Sequence, residues 1–383
     1  MTGAATAAWI RTGGWGLYCA CSWTWCIGMF LPVIMLDRYG WPGFLVFAIP
    51  NVLGCAAFGY VIASPNASRR FVARHRAMLR WFSWVTIAYH CFFAALIAYV
   101  LWPATAGNAA GPIGAAAALI LGSILLSRVT MAAWPLLAVV VYLVSLGVWG
   151  GIGAGGLDAW GWTGERPPLE LLWLAPVVAF GFILCPYFDL TFHQALQASG
   201  SRHTFAVFGV AFAAMIVFTA AYADRFPGGV TGLLLAHLTA QSVFTVAAHW
   251  RALHPDWSLL ESLNRPGPIL ALIAAGAIVY VAGVADEPYQ AGVEWYLRFL
   301  VFYGLVFPAL ALWFMRRKGD DAPLTTTRSV DVRIIALLIG IAMPFYELGF
   351  IAHHTWLPLI GLAPIVVGGV VRWKNRRAIS SPA

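Results

Sequence analysis

Residues 183–193 read ILCPYFDLTFH. They lie inside a run, 171–196, that is otherwise long and apolar enough to be a membrane-spanning helix. Pro186 has no amide to donate and its ring crowds the preceding turn, so the helix is interrupted and the carbonyl of Phe182 is freed. Asp189 follows near membrane depth, where an aspartate at the helix centre costs about 2.5–3.5 kcal/mol to insert. If the helix resumes after Pro186, Asp189 and His193 share one face at i, i+4 spacing. A carboxylate beside an imidazole takes up or passes a proton near neutral pH. The competing reading is a structural pair that tethers the inner half-helix to a neighbour.

The rest of the chain makes the membrane reading firm. Of its 383 residues 61% are hydrophobic and only 10% charged, too few charges to cover a soluble protein of that size. Runs of near-spanning length recur at 14–36, 42–64, 79–102, 112–128, 130–150, 171–196, 202–222, 229–250, 267–285, 293–315, 333–352 and 355–371. The expected fold class is therefore an all-α polytopic membrane protein of about 12 helices set in a lipid bilayer. The formal charge of +8 is an insertion signal: all 23 basic residues except Arg38, Arg166, Arg225 and Arg298 fall on one side of these spans. Both termini are then cytoplasmic and the protein is integral to the inner membrane. A nucleic-acid partner is excluded, because no stretch between spans is long enough for a basic soluble surface. The first apolar segment has Trp23 and Trp25 where a signal peptidase needs small residues, so it is read as a retained span. The six cysteines all fall within spans, where Cys serves as a small apolar residue.

A second interruption pairs with the first. WTWCIGMFLP, 23–32, sets Gly28 four residues before Pro32, so that carbonyl also loses its helical donor. Spans 1–5 and 6–10 recur at similar spacing, and each set begins with the broken helix. Paired breaks at corresponding helices point to a secondary-transporter binding site, and the odd number of spans in each half inverts one against the other.

The run SWTWCIGMFLPVIMLDRYGWPGFLVFAIPNVLG, 22–54, resembles the first two core helices of sodium:solute symporters and related carriers of the amino acid–polyamine–organocation superfamily. CPYFDLTFHQA, 185–195, is similar to the broken helix that opens their second repeat. The resemblance implies a LeuT-type fold: a first five-helix repeat over 1–164, an inverted repeat over 165–320, and two further helices with a basic tail over 321–383. It implies a substrate site at Trp25, Cys26, Ile27 and Gly28 with Cys185, Pro186, Tyr187 and Phe188. It also implies a sodium site that joins the Gly28 region to hydroxyls on helix 8, where LLLAHLTAQSVFT, 233–245, offers Thr239 and Ser242. The family more often has two adjacent hydroxyl residues, and here Thr239 is followed by Ala240. The proton-coupled variant that uses a lysine on helix 5 is excluded, since no lysine precedes Lys318.

His90 in span 3 and His237 in span 8 fall at equivalent central positions of the two halves. With Trp23, Trp25, Tyr89, Tyr187 and Phe188 they make a candidate aromatic solute pocket, whose π faces suit a ring or an organic cation. Glu347 lies outside the ten-helix core and suits a helix–helix or subunit contact, while His353 and His354 fall at the outer end of span 11 as solvated residues.

The expected function is symport of a small organic solute, driven by Na+ or H+, with no other cofactor and no enzymatic step. Asp189 and His193, or Thr239 and Ser242, would carry the coupling. Two rival readings are a haem- or metal-binding redox protein using His90, His193 and His237, and a transporter-like scaffold without flux. Substrate identity and oligomeric state are not written in the sequence.

Overall fold

The computed structural model of the chain describes residues 3–101, 110–226, 229–230, 232–253, 276, 287–314 and 329–379. Among them there is no strand, and seven helical segments are long and apolar enough to cross a membrane. Two shorter apolar helices accompany them. The protein is an all-α membrane protein. The ninth expected span, 267–285, lies outside the described residues apart from Gly276.

The first two expected spans are built from α1, Gly3–Trp23, and α2, Cys26–Val61. At 36 residues α2 would be about 54 Å long if straight, well beyond a bilayer. Gly40 divides it with a φ of 64° and a ψ of −154°. A Cβ there would also lie 2.6 Å from the Gly161 carbonyl oxygen, so only glycine fits. The loop that presses on this turn is held by Arg166 N donating to Arg38 O at 2.8 Å and by the Trp41 indole donating to Trp160 O at 3.1 Å.

The third span begins earlier than its apolar run. The helix α3, Pro65–Leu101, starts with an arm that kinks at His75 and carries exposed Arg69, Arg70, Arg74 and Arg76 on the side away from buried Ser68 and Phe71. After α4, Ala110–Leu126, a turn separates it from α5, Trp134–Ile152. The sixth span is interrupted as expected: α6, Leu171–Leu184, passes into a 3-10 turn over Cys185–Phe188 and resumes as α7, Leu190–Ser199. There follow α8, Thr204–Tyr222, α9, Gly232–Leu253, and α10, Pro288–Val301. A π-helical segment, Phe302–Val306, leads from α10 into α11, Phe307–Phe314. The last two helices are α12, Ser329–Phe350, and α13, Leu357–Ile379.

The broken helices occupy the middle. α1 lies against α5, α7, α8 and α9, while α2 lies against α6 and α8. α3 spans the far side of the break, in contact with α4, α7 and α9. Aromatic rings from Trp23, Trp25, Phe82, Phe192 and Tyr303 fill the space where these helices meet. Such a centre has no water to satisfy an open backbone, so each interruption needs partners from its neighbours.

Candidate functional site

The first break is not where Pro32 suggests. Helix geometry is lost at Thr24 and Trp25, the latter extended at φ −74° and ψ 174°, and α2 resumes at Cys26. Pro32 is absorbed into α2 because Thr219 Oγ1 of α8 donates to the Gly28 carbonyl at 3.0 Å, replacing the missing amide. The real interruption is satisfied from four other helices. Thr245 Oγ1 of α9 donates to Cys21 O at 3.1 Å, Tyr296 OH of α10 to Cys26 O at 3.0 Å, and Tyr222 OH of α8 to Met29 O at 2.8 Å. The opening amide of α2, Cys26 N, donates to His90 Nε2 of α3 at 3.2 Å.

That last contact sets the state of His90. Its Nδ1 lies 2.8 Å from the Thr86 carbonyl, which can only accept. Nδ1 therefore carries the proton, and Nε2 is the bare nitrogen that receives the Cys26 amide. A second proton on this ring would break the link to the helix.

The second break has a different character. Asp189 is extended at φ −77° and ψ 111° and serves as the N-cap of α7, its Oδ1 accepting from Thr191 N at 2.6 Å. Its Oδ2 is buried without a hydrogen-bond partner. Facing it at 3.9 Å is His249 Nε2 of α9, equally buried and equally without a partner. The other nitrogen of His249 lies 3.1 Å from Ser83 Oγ of α3, and Trp25 sits edge-on to the ring at 5.7 Å.

The expected pairing of Asp189 with His193 is replaced by this one. Because Asp189 caps α7 from outside the helix, the i, i+4 geometry of two helical residues does not apply to it. His193 turns instead to Tyr187 O, 3.0 Å from its Nε2, and to Ser68 Oγ on the arginine-rich arm of α3, 2.9 Å from its Nδ1. Phe71 of the same arm stacks on the ring at 4.8 Å. His193 thus ties α7 to that arm.

The sodium ligands expected at Gly28, Thr239 and Ser242 are not assembled. The Gly28 carbonyl is engaged by Thr219, and Thr239 is exposed beside Leu126 and Val141. Ser242 is buried but lies off the polar stripe of α9. That stripe is His237, Gln241, Thr245 and His249, all buried and four residues apart, hence on one face. His237 bonds to Ser145 of α5 at 2.9 Å and so sits away from the second break. His90, His193 and His237 have separate partners, and among the described residues no group of three His, Cys, Asp or Glu side chains is arranged to hold a metal.

Of the expected solute-binding residues, Trp23, Trp25, Gly28 and Cys185 line one narrow crevice, joined by Ile27, Asn51, Phe182 and Tyr303. It is too tight in this conformation to admit a water molecule. Trp23 is anchored there by its indole donating to Asn51 Oδ1 at 3.0 Å. Tyr89 is instead committed to Tyr296 O at 2.8 Å, Tyr187 stacks on Phe58, and Phe188 faces Phe307. Cys26 contributes its backbone through the contacts above.

Phe182 also lines a second and larger space, a vestibule of about 590 Å3 bounded by α2, α6, α10 and α12. Arg38, Tyr39, Arg298, Glu347 and His353 line its polar part, while Leu31, Phe47, Val177, Phe182 and Gly304 line its apolar part. The π segment on the α10–α11 helix serves both spaces, Tyr303 facing the crevice and Gly304 the vestibule. Glu347 holds Arg298 of α10 at 2.7 Å, a helix–helix contact, one of the two roles expected of it. His353 departs from the sequence expectation: it is half-buried on the vestibule wall, in a left-handed conformation at φ 62°.

No protein-family model matches this chain, and no curated protein matches it in sequence.

Proposed function

We propose that the protein is a secondary active transporter of a small organic solute, driven by protons, in which Asp189 and His249 carry the coupling proton. The observation that supports this is the unbonded, fully buried facing of Asp189 Oδ2 and His249 Nε2 at a helix break. An ionisable pair within a membrane is costly and marks a proton or solute path. Here it sits where two interrupted helices meet, beside a crevice that Phe182 separates from a vestibule.

A solute entering by the vestibule would displace Phe182 and reach Trp23, Trp25 and Tyr303 in the crevice. Movement of α1, α2, α6 and α7 against α3 and α9 would then open the opposite side, where the Ser68–His193 contact closes the inner half-helix. A proton shared by Asp189 and His249 would favour one arrangement and its loss the other, since these residues belong to the two sides that move. The five-plus-five inverted arrangement, two added helices and cytoplasmic termini in an inner membrane are the architecture this mechanism assumes.

Reconstitution into liposomes with an imposed pH gradient tests it. Solute accumulation that follows the proton gradient, and is lost in Asp189→Asn, is the expected result. Accumulation that follows a sodium gradient and survives Asp189→Asn would overturn the proton assignment, and absence of flux under either gradient would overturn transport itself.

A further inference from the structure

The vestibule has a chemical preference of its own. Three charged groups at its mouth are mutually engaged: Arg298 is held by Glu347 at 2.7 Å and Glu294 at 3.5 Å. Behind them Arg166 forms a double contact with Glu170, whose carboxylate also accepts from Tyr39 OH at 2.8 Å. Arg38 is different. It is half-buried on the vestibule wall, and its guanidinium makes no ion pair or hydrogen bond among the described residues. A guanidinium has five donors in a planar fork, and those of Arg38 are left available to a ligand in the vestibule.

His353 reports the same charge. Burial pushes its imidazole below the ordinary histidine range, and the charges of Arg38 and Arg166 push it further, against the weaker opposing pull of Glu170 and Glu294. It stands on the same wall in a left-handed conformation that costs a non-glycine residue of order 1–3 kcal/mol, a strain that clusters at ligand sites. Apart from Arg38, Tyr39, Arg298, Tyr346, Glu347, His353 and Thr355 the cavity is lined by apolar residues, and its volume of about 590 Å3 is that of an organic-ligand site. Asp37 and Glu165 do not line the cavity and are exposed, where water screens them.

We propose that the vestibule binds a solute with one carboxylate-like anionic group on an apolar body, the anion meeting Arg38 in a two-point contact and the body lying along Val177, Phe182 and Leu300. The planar fork of arginine matches a carboxylate in this way, whereas a cation would find no free carboxylate on the wall. An anionic lipid headgroup presents the same chemistry and is separated by the test. The proposal names a ligand class for the path described above and rests on that reading only for the transport role of the site.

The test is equilibrium binding to the full-length protein in nanodiscs of phosphatidylcholine, with octanoate, octylammonium, octanol and acetate as probes. Octanoate should bind; octylammonium and octanol should bind at least about tenfold more weakly, and acetate, which lacks the body, should not bind. Arg38→Gln should weaken octanoate by about tenfold or more, and Arg38→Lys should recover part of it. A thermal midpoint for each variant separates lost binding from lost folding. Loss of octanoate binding when phosphatidylglycerol replaces phosphatidylcholine, with recovery at higher octanoate, assigns the same anion site to a lipid headgroup. Octylammonium binding as tightly as octanoate, or full octanoate affinity in a folded Arg38→Gln protein, overturns the proposal. Arg38-dependent binding without flux in liposomes would sink the transport reading alone, and flux without Arg38-dependent binding would sink this one alone.

Discussion

Asp189 of the second helix break and His249 of α9 face each other at 3.9 Å, both fully buried, with neither facing atom hydrogen-bonded. The gap is too long for a direct hydrogen bond, and a small movement of either helix would close it to one. The pair therefore suits a proton and a change of helix position together.

Asp189→Asn should fold, because asparagine is as good an N-cap as aspartate and can still accept from Thr191 N. It should abolish uptake driven by a pH gradient while leaving solute exchange across the membrane. His249→Gln should do the same. Uptake and counterflow on the same liposomes distinguish the two effects, and undiminished gradient-driven uptake in both variants would remove the pair from the mechanism.

His90→Leu should destabilise the protein by about 1–3 kcal/mol, because it leaves the buried Cys26 amide without an acceptor. His90→Gln, whose amide oxygen can accept, should recover part of the loss. Thermal unfolding in detergent, compared among the three proteins, gives the order. A loss of stability equal in both variants would assign the role of His90 to ring shape instead.

Gly54→Ala should impair both stability and function. A Cβ at that position would lie 2.5 Å from the Phe182 carbonyl oxygen and 2.8 Å from Ile183 Cα, both backbone atoms that cannot move aside cheaply. α2 would be driven off the helix beside its break. Reduced thermal stability and reduced uptake are expected together, whereas at half-buried Gly122, where a Cβ meets nothing within 4 Å, the same change should be silent.

Thr239 and Thr245 offer a contrast on one helix. Thr245→Val deletes the hydroxyl bonded to Cys21 O at the first break and should cost about 1–3 kcal/mol. Thr239→Val, on an exposed face, should stay within about 0.5 kcal/mol of the parent. Matched unfolding curves in detergent report both, and a sodium response lost in Thr239→Val would restore the ion site expected from sequence.

Arg38→Gln should raise the imidazole pKa of His353, because it removes a positive charge that disfavours the protonated ring. Burial remains, so the value should stay below that of a free histidine. The signals of isotopically labelled histidine, followed by NMR against pH, measure the direction, and no upward movement would mean that Arg38 does not act on His353.

The sequence by itself determined that the chain is an all-α membrane protein and that its sixth span is interrupted at Pro186. Hydropathy and proline act locally, through the cost of leaving water and the loss of one amide, so a linear reading captures them. It placed the second break at Cys185–Phe188 correctly and set Trp23, Trp25, Gly28 and Cys185 around one crevice. The four-residue stripe His237, Gln241, Thr245 and His249 was also present to be read, as a polar face on an apolar helix.

Only the tertiary structure decided which partner each buried polar group takes. Pro32 does not break its helix, because a hydroxyl from Thr219 stands where the lost amide would have been. Asp189 faces His249 and not His193, because capping puts the carboxylate outside the turn that its sequence neighbour occupies. Spacing along a helix sets which side chains share a face. Which of them meet across helices depends on how distant segments fit, and in a water-poor interior that fit determines where an unpaired donor, acceptor or charge can survive.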